Sequence, residues 1–408
     1  MNTSNDIVVI GAGQAGLQIA ASLRLGGHTG RLVMIGDETN APYQRPPLSK
    51  AFLKQQADEQ SIQLRPATFF QDNQIELVCG ETVSKIDRAH QVIETTCGKT
   101  YPYAKLAIAT GTRPRPLDIP GSDLEGVHLL RSFLDAANLR DELNQLDKIV
   151  IIGGGFIGLE VAACAASLGK QVTVLEYAPR IMGRAVSPIS SDFFQRHHTR
   201  LGVEVITEAR IEYIGGDVRT QYVQLVGGRK VEADLVLVGV GALPNIELAQ
   251  AAGLACSNGI VVDEFAVTTD PKIVAAGDCT SHPNKYAGGR FRLESVQNAI
   301  DQAKVAAQSL LGSKTAYDVA PWFWSDQGEI KLQTVGLPLS TDLHVVRGNP
   351  AESKFSVFHF RGERLTAVES INSPADHMVA RRLLAQGVTP DPAYLVDPNF
   401  ELKFLLIK

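Results

Sequence analysis

The chain has 408 residues, 44% of them hydrophobic, with 36 glycines, which fits two or three α/β domains of roughly 150 residues each. Its net charge of −5 argues against wrapping around nucleic acid, and no apolar run approaches the ~20 residues that a membrane helix needs. Met1–Asp6 carries neither the charged nor the apolar region of a signal peptide, so a cytoplasmic protein with no membrane partner is expected. The five cysteines, Cys79, Cys97, Cys164, Cys256 and Cys279, are too scattered for a zinc, iron–sulfur or dithiol site; they read as reduced thiols, and no metal is expected.

The first element is an apolar, β-branched run at Ile7–Ile10, read as a buried parallel strand. Gly11, Gly13 and Gly16 follow as G-x-G-x-x-G, then an apolar helical pattern, a second strand near residues 31–35 and Asp37. In such a βαβ unit the first glycine permits a tight turn, the second lets backbone approach a pyrophosphate, and the third allows the helix to pack closely. The helix N-terminus offers N–H groups to the phosphates, and Asp37 would accept hydrogen bonds from a ribose.

Next comes Ala41–Leu53, APYQRPPLSKAFL, with two adjacent prolines, Arg45 and Lys50, and no cysteine. The prolines fix φ ahead of a helix expected to start near Leu48–Ser49, with Ser49 as its N-cap. A strand ending in Ala109–Thr110–Gly111 then leads through a Pro-rich stretch to a second fingerprint, Gly153, Gly155 and Gly158. Its second strand ends at Glu176, near the ~20-residue spacing expected after the first glycine. Glu176 could hold both hydroxyls of an adenosine ribose and would repel a 2′-phosphate, which favours NADH over NADPH. Arg180 and Arg184 could instead serve a phosphate or be surface charges.

Two dinucleotide units in one chain imply two dinucleotides, commonly a tight flavin and an exchangeable nicotinamide. Further along, Asp234–Asn245 is a strand with Gly239 and Gly241, and Thr268–Thr280 ends a buried run at Gly277–Asp278. Trp322 and Trp324 alternate around Phe323, so they share a face if the segment is a strand. The nine histidines show no triad or ligand spacing. His197 and His198 read as surface residues, His282 as a loop residue, and Cys164 and Cys279 as structural.

PYQRPPLSKAFL, GGGFIGLE, AAGDCT, LESVQNAIDQAKVAA and PWFWSDQ resemble the oxygenase-coupled, NADH-dependent ferredoxin reductases. The resemblance implies two Rossmann-like domains, for FAD and NAD, and a C-terminal α+β domain, in a glutathione-reductase-like architecture. The FAD domain is expected at 1–112 and 246–318, the NADH domain at 113–245, and a flavin-covering, ferredoxin-docking domain at 319–408. It further implies an FAD site built from Gly11, Gly13, Gly16, Asp37, Arg45, Lys50, Val83, Thr110, Arg131, Asp278, Val296 and Trp324. The NAD site would comprise Gly153, Gly155, Gly158, Glu160, Glu176 and Gly241. Lys50 and Glu160 are the expected catalytic pair, holding the nicotinamide carboxamide and balancing charge on the reduced flavin; otherwise Glu160 is an ordinary first-turn helix acid.

The implied activity is NADH:ferredoxin oxidoreductase, with FAD and NADH as cofactors and an external two-iron ferredoxin feeding a monooxygenase or dioxygenase. Flavin disulfide reductases need a cysteine in Ala41–Leu53, which has none. Rubredoxin reductase, monodehydroascorbate reductase and an NADH-sensing flavoprotein like apoptosis-inducing factor remain the alternatives. Ferredoxins are generally acidic, so Arg290, Arg292 and Lys331 are candidate docking cations.

Overall fold

The computed structural model describes residues 5–397 and 400–406. The chain forms two compact units. One comprises the chain up to Gln44 with residues 59–113 and 243–321; the other comprises 45–58, 114–242 and 322–408.

The first unit is built on a five-stranded parallel sheet in the order Ile273–Ala275, Lys105–Ile108, Ile7–Ile10, Leu32–Ile35, Ile75–Val78. Its central strands are apolar at every position because both faces are covered. One face carries the helices Gln14–Leu25 and Val296–Leu310, whose Leu17, Ala20, Leu23, Ala303 and Ala306 share a core with Val9 and Met34. The other face packs Val8, Ile10 and Ile108 against a small antiparallel sheet that contributes Ile86 and Ile93.

The second unit repeats the plan. Its parallel sheet runs Glu204–Ile206, Gln171–Leu175, Lys148–Ile152, Leu235–Val238, Val127–His128. An antiparallel sheet supplies Ile214, Val223 and Val231 to the core beneath Val150 and Val236. A five-stranded antiparallel sheet follows, in the order Trp322–Gln327, Ile330–Gly336, Arg364–Ile371, Lys354–Arg361, Leu343–Asn349. The helix Pro374–Gln386 covers it, burying Ala380 and Leu383.

Polar groups as well as apolar ones join that sheet to the rest of its unit. Glu369 is 1% exposed. It accepts from the Ser187 backbone N–H at 2.6 Å and hydroxyl at 2.8 Å and from the Ser190 hydroxyl, and lies 2.8 Å from His359 Nε2. Burial alone would push this carboxyl up; His359 and the serine donors outweigh it and hold the group below its ordinary value. The acceptor sits at the N-terminus of the helix Pro188–Arg200, where Ser187 is the cap and the dipole favours negative charge.

The expectation that His197 and His198 lie at the surface is wrong. They are 4% and 0% exposed, and reach Gln327 O at 3.1 Å and Gln327 Oε1 at 2.8 Å. His282 is likewise not a loop residue; it lies buried in the strand Thr280–Asn284, its ring 5.2 Å from Tyr317. Among the described residues no helix is long and apolar enough to cross a membrane, and no group of three or more His, Cys, Asp or Glu side chains is placed to hold a metal ion.

Burial pushes His198, His282 and His377 down to about 4, from an ordinary 6.5. Below 6.5 the unfolded chain protonates these rings while the folded chain does not, so stability is lost as pH falls from 6.5 towards 4. The thermal midpoint should therefore drop between pH ~7 and pH ~4.5, and His198→Asn should show a shallower drop than the parent chain. A parallel pH profile in the variant would show that His198 contributes nothing to acid sensitivity.

Candidate functional site

The two glycine fingerprints have matching geometry. Gly11 has φ +106°, and a Cβ there would meet Ala109 O at 2.2 Å; a Cβ at Gly16 would meet Gly11 O at 1.8 Å. In the second copy Gly153 has φ +111° and a Cβ would meet Gly239 O at 2.3 Å, while one at Gly158 would meet Gly153 O at 2.3 Å. These four glycines serve the protein's own packing. A Cβ at the middle residue, Gly13 or Gly155, would meet nothing within 4 Å.

Gly13 and Gly155 also occupy the N-cap positions of Gln14–Leu25 and Phe156–Ser167, and neither helix has a side-chain cap. Elsewhere Ser132, Ser187 and Ser295 cap their helices. Open backbone beside first-turn N–H groups that no side chain caps fits a dinucleotide pyrophosphate in each unit.

In the first unit the other expected FAD residues lie as follows. Asp37 is exposed just beyond the strand Leu32–Ile35, and Val83 begins the strand Val83–Asp87. Thr110 is locked to Asn245, which sequence reading did not single out: Thr110 Oγ1 donates to Asn245 O at 2.7 Å and Asn245 Nδ2 donates to Thr110 O at 2.8 Å. Asp278 stands in a turn held by Gln302, another residue not singled out, whose Oε1 accepts from Gly277 N at 2.8 Å and Thr280 Oγ1 at 2.9 Å. Val296 is the first residue of its helix, after the Ser295 cap.

Arg45, Lys50, Arg131 and Trp324 belong instead to the second unit, with the second fingerprint. Pro46–Ser49 forms one 3₁₀ turn, with Arg45 rather than Ser49 at its N-cap position, which corrects the expected helix. Arg45 Nη1 donates to Arg131 O at 2.6 Å. Phe52, 1% exposed, anchors the segment: its ring lies 5.0 Å from Phe133 and under the Arg140 guanidinium at 4.8 Å.

Ser49 is turned to a different use. Its hydroxyl donates to Glu160 Oε2 at 2.5 Å, and Lys50 Nζ lies 2.7 Å from the same oxygen. Ser325 Oγ donates to Glu160 Oε1 at 2.7 Å. Glu160 is buried and lies beyond the first turn of its helix, so it is not an ordinary first-turn acid. Its side chain is 5% exposed while that of Lys50 is 21% exposed. The cation is therefore the member of the pair that still faces outward.

Glu176 spends both oxygens on backbone: Oε2 accepts from Gly154 N and Oε1 from Ala178 N, each at 2.7 Å. Arg180 is turned onto its own loop, donating to Val186 O at 2.8 Å and Gly183 O at 2.5 Å. Gly241 has φ +107° and open space where a Cβ would lie. Trp322 and Trp324 do share a strand face, with ring centroids 5.6 Å apart, and Arg381 lies 4.7 Å from the Trp322 ring.

Two of the expected docking cations are already committed. Arg290 donates to Val262 O and Ser281 O, and Arg292 to Asn258 and Glu294. Lys331 remains exposed.

Comparison with known proteins places these features. Residues 5–303 match the family described as pyridine nucleotide-disulphide oxidoreductase, and 322–406 match a reductase C-terminal domain. Rhodocoxin reductase of Rhodococcus erythropolis is 46% identical over 403 residues, covering 98% of this chain and 94% of that one. The ferredoxin reductase for the CYP199A2 system from Rhodopseudomonas palustris superimposes with a TM-score of 0.96 at 44% identity, over 98% of this chain and 99% of that one. The covalent putidaredoxin reductase–putidaredoxin complex gives 0.96 at 37% identity, over 99% of each chain.

The fingerprints predict opposite outcomes for neighbouring glycines. Gly155→Ala should leave the melting temperature and FAD content unchanged and raise the KM for NADH about tenfold, because its methyl enters the phosphate space. Gly158→Ala should lower the melting temperature by several degrees, since its methyl meets backbone. Equal melting temperatures for the two variants would refute this division of labour.

Proposed function

Because the chain is a member of the pyridine nucleotide-disulphide oxidoreductase family, in the ferredoxin-reductase branch with a reductase C-terminal domain, we propose that it carries electrons from NADH through FAD to a two-iron ferredoxin serving a terminal oxygenase. FAD and a nicotinamide dinucleotide are its cofactors. Bound FAD supplies the conversion of a two-electron hydride into single electrons. The protein's residues bind, orient and balance charge.

The observation that carries this reading is the pair in Ala41–Leu53. Where a flavin disulfide reductase needs a thiol, this segment has Lys50 held by Glu160 at 2.7 Å. The thiol beside it, Cys164, lies on the Phe156–Ser167 helix with Sγ 3.8 Å from Lys50 O, and burial pushes it up to about 11. A thiol so raised is not the nucleophile of a disulfide exchange. With no sulfur relay, electrons leave for an acceptor outside the chain. Lys50 and Glu160 would take the nicotinamide end, Glu160 fixing the cation and Lys50 offering positive charge to the carboxamide. Asp278 and the Gly11–Gly16 turn would take the FAD ribityl chain and pyrophosphate.

The same reading favours NADH. A 2′-phosphate at Glu176 would meet a carboxylate, and Arg180, tied to Val186 and Gly183, would not answer it. Five free cysteines support a cytoplasmic location.

A steady-state assay with NADH, NADPH, a two-iron ferredoxin, a rubredoxin, a disulfide and ascorbyl radical tests the proposal. Fast turnover is expected with NADH and the two-iron ferredoxin. NADPH should fall behind by at least about a hundredfold in kcat/KM, as uncompensated like charges cost several kcal/mol. Faster turnover with the disulfide or the ascorbyl radical overturns the acceptor assignment; parity of NADPH overturns the nucleotide preference.

A further inference from the structure

Glu160 is one end of a longer buried chain. Its Oε1 accepts from Ser325 Oγ at 2.7 Å, and Ser325 is 0% exposed on the strand Trp322–Gln327. Gln327 Nε2 donates to Ser325 Oγ at 3.4 Å and lies 3.5 Å from Met182 Sδ. Gln327 Oε1 meets His198 Nε2 at 2.8 Å, and the backbone Gln327 O meets His197 Nε2 at 3.1 Å. Neither acceptor on Gln327 can give a proton, so each histidine carries its hydrogen on Nε2.

The chain therefore has one direction. His198 donates to Gln327, Gln327 to Ser325, and Ser325 to Glu160, whose other oxygen accepts from Ser49 and Lys50. Because Gln327 already donates to the Ser325 oxygen, the Ser325 hydrogen is left for the carboxylate. A carboxylate surrounded only by donors cannot rotate without losing one of them.

We propose that Ser325, oriented by Gln327 and His198, is a positioning residue for hydride transfer: it fixes the rotation of the Glu160 carboxylate and through it the place of Lys50 Nζ. This makes the C-terminal sheet part of the reductive half-reaction and gives the buried His198 a purpose. The inference rests on the reading that Glu160 and Lys50 meet the nicotinamide.

Threonine and valine have the same shape and differ in the hydroxyl, so S325T and S325V strain the packed site alike and isolate that group. On the FAD-loaded protein, stopped-flow reduction by NADH should give S325V a limiting rate about tenfold below S325T, as expected for losing one hydrogen bond to a charged group. The NADH dissociation constants of the two should agree, which a general loosening of the fold would not preserve. Crystal structures of both variants supply a readout independent of turnover. In S325T the Glu160 carboxylate should keep its rotation and its contact with Lys50; in S325V it should rotate and release Lys50. E160Q separates the two layers of the argument. An unchanged reduction rate in E160Q sinks the reading of the pair and this inference with it. A slowed E160Q beside equal rates and equal carboxylate positions in S325T and S325V sinks the inference alone.

Discussion

A carboxylate buried in protein must be surrounded by donors, and much of the second unit is arranged around that demand at Glu160. Taking such a group out of water costs several kcal/mol unless a counter-charge and hydrogen bonds replace the solvent. Here they come from separate stretches of chain: Ser49 and Lys50 from the Pro-Pro turn, and Ser325 from the C-terminal sheet. The demand also accounts for the allegiance of residues 45–58, which belong by sequence position to the first nucleotide-binding half yet fold with the second unit. Phe52 beneath Phe133 and Arg140 supplies apolar anchorage, and the Glu160 pair supplies polar register.

The repeated fingerprints show one local solution used twice. In each copy the outer glycines let a helix close onto a strand, and the middle one leaves backbone open where the helix begins without a side-chain cap. Orphan first-turn N–H groups are a cost to the fold when nothing meets them, and an anion site when a phosphate does. Beside the second cradle, Glu176 accepts from the Gly154 N–H and Arg180 folds back onto Val186, while in the first unit Thr110 is locked to Asn245 and Gln302 braces the turn at Asp278.

What could be read in the sequence was local. The strand–glycine–helix units announce themselves because strand, turn and helix lie within some thirty residues, and the alternation of Trp322 and Trp324 follows from strand period alone. What could not be read depended on distant partners. His197 and His198 look polar and terminal on their helix, but Gln327, about 130 residues on, makes them core residues. Ser49 has the composition of an N-cap, but its acceptor lies 111 residues away. Arg290 and Arg292 look like free cations until the strand carbonyls and side chains that occupy them are folded into place.

Glu369, on the strand Arg364–Ile371, repeats the logic of Glu160, whose partner Ser325 stands on another strand of the same sheet. Each joins the C-terminal sheet to the nucleotide-binding part of the unit through serine hydroxyls, Ser325 to Glu160 and Ser187 and Ser190 to Glu369. Buried charges of this kind add little to stability over an apolar alternative, but they penalise every arrangement that leaves one unpaired. Two such contacts on one sheet leave few ways for it to seat: a shift of one residue along either strand would turn Ser325 or Glu369 to the opposite face. Trp324 and Ser325 are adjacent on the strand and point to opposite sides. The hydroxyl that holds Glu160 thus also fixes the height at which the tryptophan stands, and one strand sets both the acid that orders Lys50 and the Trp322–Trp324 pair on its opposite face.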